Sequence, residues 1–91
     1  MAAPKFPCPC CGYVTLSEEP PGTFEICPVC FWEDDDSQVR DLEYAGGANT
    51  VSLREARRNF ADFGAIAAEF REKVRGPSDE ERQGRRSVAA N

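Results

Sequence analysis

The residues with the clearest chemistry are cysteines. Cys8-Pro9-Cys10-Cys11-Gly12 and Cys27-Pro28-Val29-Cys30-Phe31 both read C-P-x-C, and fifteen residues separate Cys11 from Cys27. Two residues between cysteines let one tight turn aim both sulfurs at a single ion, and proline in the second place presets the backbone of that turn. Two such turns at this spacing match a four-cysteine zinc site. The spacing therefore predicts one Zn²⁺ per chain, held by Cys8, Cys11, Cys27 and Cys30 in a closed tetrahedron with no position left for a substrate. Glycine after the last cysteine, as at Gly12, permits a left-handed backbone that turns N–H groups toward the sulfurs.

Iron held in rubredoxin-like turns is the rival metal. Phe31 counts against it, because it stands where the second turn would usually carry glycine. The chain has five cysteines and no histidine. The odd count argues against a complete disulfide framework, and the missing histidine excludes Cys–His and Ser–His catalysis. Cys10 is the extra thiol, in the free position of the first turn. As a ligand it would leave one residue or none between the first-pair sulfurs, so it is read as a non-ligand. The functional alternative for Cys10 is a reactive thiol, redox-active or partner-binding. No nucleophile–base pair stands out, and a non-catalytic role is favoured.

These turns need elements to bring them together. Tyr13 to Leu16 and Thr23 to Ile26 are β-branched or aromatic, with turn chemistry at Ser17 to Gly22 between them. A β-hairpin with a long tip is the expectation. Residues 32–51 read as an acidic loop, with a short helix near Ser37 to Leu42. Ser52 and Glu55 form an S-x-x-E capping box, and Leu53, Ala56, Phe60 and Phe63 then share one helical face. Gly64 is expected to end that helix, although Ala67, Phe70 and Val74 continue the same stripe. Gly76-Pro77 stops helical structure. The fold predicted is α+β: a small zinc-ribbon β-hairpin module followed by an acidic loop and one or two α-helices. Its parts are an N-terminal lead at 1–7, a domain at 8–76, and a charged, disordered tail at 77–91.

Charge bounds the partners. The net charge is −5, and residues 1–63 hold five Lys/Arg against eleven Asp/Glu. Nucleic-acid affinity comes mainly from cations on phosphates, so a nucleic-acid-binding ribbon is disfavoured and a partner protein with a basic surface suits the chain better. No apolar run is long enough to span a membrane. The start MAAPKFPC lacks an apolar leader segment, and a reduced thiol set fits the cytoplasm.

The stretches CPCCGY at 8–13, EICPVCFWEDD at 25–35, YAGGAN at 44–49 and SLREARRNFADFG at 52–64 resemble the cysteine-rich CPCC domain family of small bacterial proteins. The resemblance covers roughly residues 6–76. It implies a zinc-ribbon-type module and carries no defined activity. It also draws attention to Trp32, Glu33, Asp34, Asp35, Gly46, Gly47 and Asn49 as a shared loop signature. Trp32 with the carboxylates Glu33, Asp34 and Asp35 is the candidate partner-binding surface, since tryptophan is a common interface anchor. The function expected is a structural zinc-binding module acting in protein–protein recognition as a monomer. A thiol redox or rubredoxin-like electron-transfer protein is the first alternative, and a nucleic-acid-binding zinc ribbon the second.

Overall fold

The computed structural model describes residues 5–88. The start of the expected lead and the last three residues of the expected tail lie outside this range. Each C-P-x-C turn closes in the same way. The first cysteine donates its N–H across the turn, Cys8 to Tyr13 O and Cys27 to Trp32 O, both at 2.9 Å. Its carbonyl accepts from the fourth residue onward, Gly12 N–H and Phe31 N–H, both at 2.8 Å.

Each turn is the tip of its own ribbon. Strands β1 (Phe6–Pro7) and β2 (Val14–Leu16) are antiparallel around the first turn, with Phe6 opposite Leu16. Ile26 bridges Glu33 around the second, flanked by bonds between Phe24 N–H and Asp34 O and between Asp34 N–H and Glu25 O. The expected hairpin between Tyr13 to Leu16 and Thr23 to Ile26 is thus corrected. Tyr13 to Leu16 contains strand β2, but the second segment is interrupted at Phe24, which takes φ 59°, and the local closure of each cysteine turn fixes the partners of both. Away from the cysteines, Glu25 ties the two ribbons: its carboxylate accepts from the Ser17 and Glu18 N–H groups and from the Ser17 hydroxyl.

The acidic loop contains α1 (Asp36–Arg40), capped by Asp35, whose Oδ1 accepts from Ser37 N–H at 2.8 Å. Helix α2 (Leu53–Phe63) starts where the sequence says: Ser52 Oγ accepts from Glu55 N–H at 3.1 Å. It buries Leu53 and Ala56 and leaves Phe60 partly buried against the core. It ends at Gly64, which takes φ 89°. The break is therefore present, but the stretch beyond it is only a 3₁₀ turn, Ala68–Phe70. The reason is packing off the expected stripe. Ala65 and Ile66 are buried, and Ile66 N–H bonds to Cys30 O at 3.0 Å, pulling the chain back onto the second turn.

The disordered tail is also corrected as far as residue 88. Helix α3 (Asp79–Gln83) has a reciprocal capping box between Ser78 and Glu81. Arg75 pairs with Glu81 through both guanidinium nitrogens, each contact at 2.9 Å. The chain then crosses the first cysteine turn, where Arg86 N–H bonds to Gly12 O at 2.7 Å and Arg85 sits 4.3 Å over the Tyr13 ring. A Cβ on Gly12 would stand 1.9 Å from Arg86 O, so this crossing requires glycine there as well as its φ of 79°. The core joins all five cysteines to Leu16, Val29, Trp32, Leu53, Ala56 and Ile66. No helix among the described residues is long and apolar enough to cross a membrane.

Candidate metal centre

The two turns face each other and bring Cys8, Cys11, Cys27 and Cys30 together, all buried, with their Sγ atoms within 4.8 Å of one another. Cys8 to Cys30 and Cys11 to Cys27 are each 3.7 Å. A tetrahedron with metal–sulfur bonds of about 2.3 Å has edges of about 3.8 Å, so the cluster fits one ion with four thiolate ligands.

Donors surround the sulfurs. Cys10 N–H points at Cys8 Sγ, Val29 N–H at Cys27 Sγ and Trp32 N–H at Cys30 Sγ, each at 3.4 Å. The buried Thr15 hydroxyl lies 3.1 Å from Cys27 Sγ. The carbonyls of the turns are also occupied. Arg57 on α2 donates twice to Pro9 O, at 3.0 and 2.9 Å, and Arg85 donates to Cys11 O at 3.1 Å. Arg75 N–H reaches Pro28 O at 3.1 Å. Two guanidinium groups thus stand beside the first turn, where they would offset the net negative charge of four thiolates on a divalent ion.

Proximity makes the four thiols one coupled acid. Hydrogen bonding with Cys11 and Cys27 pushes Cys8 well up, with burial adding to it. Bonds with Cys27 and Cys30 push Cys11 up, and burial leads the rise at Cys30. Cys27 alone is pulled strongly down, by bonds from Cys11, Cys30 and Cys8 and then from Thr15. A cation held by all four sulfurs would supply the positive charge that favours their ionised form.

Cys10 is buried in the core and stands outside the set of four. It matches Val29 of the second turn, whose amide plays the same role. Phe31 matches Gly12 and takes φ 77°, a left-handed backbone that costs a side chain about 1–2 kcal/mol. Its ring stacks on Phe70 at 4.5 Å.

The expected recognition surface of Trp32, Glu33, Asp34 and Asp35 is taken apart by strand alternation. Trp32 and Asp34 are fully buried, and Asp34 Oδ2 accepts from Thr23 N–H at 2.9 Å. Asp35, nearly buried, holds Ser37 and Ala48 N–H groups. Only Glu33 faces outward, half-buried, so a contiguous tryptophan–carboxylate patch does not exist. The loop signature is instead a clamp around Gln38, which sequence reasoning passed over. Fully buried, Gln38 donates to Tyr44, Asn49 and Val51 carbonyls and accepts from the Asn49 N–H and side-chain amide. Asn49 in turn brackets the Glu33 backbone at 2.9 and 2.8 Å. A Cβ on Gly47 would lie 2.6 Å from Asp35 Oδ2, which accounts for that glycine. The S-x-x-E spacing of Ser78 and Glu81 was the one sequence signal for the ordered tail.

A family model described as Cysteine-rich CPCC matches residues 6–81. A search of curated proteins returned no match.

Proposed function

The chain belongs to the cysteine-rich CPCC family, and from its cysteine geometry we propose that it is a structural zinc-binding module, one Zn²⁺ per chain, that acts in protein–protein recognition. The observation that carries the reading is the buried set of four Sγ atoms within 4.8 Å of one another. Four thiolates in a closed tetrahedron suit zinc as a structural ion and leave no open coordination position for a substrate. The ion's work is to hold the two turns face to face, with a binding energy on the order of 10 kcal/mol at neutral pH. A net charge of −5 supports a partner with a basic surface. The surface also exposes Phe24 and Ile26 on the second ribbon and Tyr44 on the loop. Ligand thiols that must stay reduced suit the cytoplasm, and the module acts as a monomer.

Rubredoxin-like electron transfer is the second reading, because N–H···S bonds to three of the four ligands serve an iron centre equally well. Burial of Cys10 weakens the thiol redox reading, and the acidic balance weakens nucleic-acid binding. Native mass spectrometry of the chain as purified from cells, without added metal, is expected to give a single zinc ion. Chelation is then expected to unfold the protein and expose Trp32 to water, seen as a red shift of its emission. A metal-free chain that keeps its fold overturns the structural role. Visible absorbance that bleaches on reduction would assign iron instead.

A further inference from the structure

The outer face of the second cysteine turn carries a pocket that the metal centre does not use. Strand alternation sends Ile26 and Glu33, directly opposite one another, to the same outward side. Ile26 is 50% exposed. With the stacked rings of Phe31 and Phe70, and with Ile66 and Asn49, they line a pocket of about 90 Å³. Glu33 supplies its only charge. Its backbone is held at both ends by Asn49, yet its carboxylate makes no hydrogen bond or ion pair among the described residues.

Phe31 holds the left-handed backbone that the cysteine turn requires, as Gly12 does in the first turn. The first turn meets that requirement with glycine, whereas the second carries an aromatic ring there, and that ring lines the pocket.

An apolar slot of side-chain size, with an aromatic wall and one unpaired carboxylate at its mouth, matches one kind of side chain: a long aliphatic stem that ends in a cation. The geometry points to a recognition slot for a lysine or arginine side chain of a basic partner peptide. The stem lies between Ile26 and the Phe31–Phe70 pair, and the cationic head meets Glu33. The net charge of −5 steers such a peptide toward the protein at long range. This inference rests on the protein-recognition reading and gives it an address.

The test is a titration of the isotope-labelled, metal-loaded full chain with two capped peptides, one of alternating alanine and arginine and one of alternating alanine and glutamate. The arginine peptide is expected to shift the amide signals of Ile26, Phe31, Glu33 and Phe70 saturably, and the glutamate peptide to leave them in place. Glu33→Gln touches no fold contact of that side chain and is expected to weaken the arginine peptide by about tenfold or more, while Glu18→Gln leaves it unchanged. Saturable binding whose shifts lie elsewhere, and which Glu33→Gln does not alter, overturns the slot and leaves the recognition reading standing. No saturable shift with either peptide overturns the slot and the basic partner together.

Discussion

Cys10 and Thr15 show how differently two buried side chains beside one metal centre can matter. Cys10 sits where the second turn has Val29, and the amide of each serves a sulfur, while the Cys10 thiol also makes a side-chain hydrogen bond with Cys30. That position asks for a small apolar filler, which a free thiol provides. Cys10→Ala is therefore expected to keep one metal per chain in native mass spectra, whereas Cys11→Ser loses it. Loss of metal in Cys10→Ala would reassign the ligands. In the metal-loaded protein Cys10 is expected to alkylate slowly, because its side chain is fully buried. Thr15 is the opposite case. Its hydroxyl lies 3.1 Å from Cys27 Sγ, and toward a thiolate only the hydroxyl can donate. Thr15→Val keeps the shape and removes the donor, so metal affinity is expected to fall by about tenfold to a hundredfold in chelator competition. Unchanged affinity would make the hydroxyl a bystander. The set of four clustered cysteines was legible because the spacing within each pair is local. Thr15 was not, because nothing in a sequence says which sulfur a strand twelve residues away will meet.

Helix α2 is the element in which sequence and structure agree most closely, and the reason is that its signals are self-contained. Ser52 starts it, Gly64 ends it, and Leu53 with Ala56 forms the buried stripe between. Ser52→Ala is expected to cost about 1 kcal/mol of stability. Leu53→Ala, at a fully buried site, should cost about 3 kcal/mol in thermal melts of the metal-loaded chain. Equal, negligible losses would mean that the helix does not dock. The ribbons failed the same reading for a physical reason. Tyr13 to Leu16 and Thr23 to Ile26 both carry strand composition, but composition does not name a partner. The closure of each turn by Cys8 and Cys27 N–H groups does, and it pairs each segment across its own turn. The segment after Gly64 went astray in a related way. The apolar period continues through Ala67 and Phe70, yet Ile66, off that stripe, is what bonds to Cys30 O and redirects the chain.

At the scale of the whole molecule the metal centre and the hydrophobic core are one object, since all five cysteines belong to the buried cluster. The C-terminal segment closes over it. Its composition reads as a solvated tail, and its order comes from long-range contacts: Arg75 on the second turn, Arg85 and Arg86 on the first, and the Arg75–Glu81 pair between them. Glu81 anchors this strap. The Arg75 guanidinium, followed by the Ser78 backbone N–H, lowers its carboxyl to about 2. An unfolded glutamate titrates near 4.3. Because the folded value is the lower one, the pair stabilises the docked strap in full above about pH 4.5 and loses its contribution as the pH falls toward 2. Arg75 is half exposed, so after solvent screening the contribution is about 1–2 kcal/mol. Glu81→Gln removes the charge and is expected to release the strap by that amount at neutral pH. The readout is hydrogen exchange at the Arg86 amide, which bonds to Gly12 O: protection should drop by about fivefold to thirtyfold. The difference between wild type and variant should then narrow below pH 4.5. Acid release of the metal would also collapse that difference, so the comparison is made only at pH values where native mass spectra show the metal still bound. Equal protection of Arg86 in both chains at pH 7 would show that the ion pair does not hold the segment, and that the contacts of Arg85 and Arg86 with the first turn suffice.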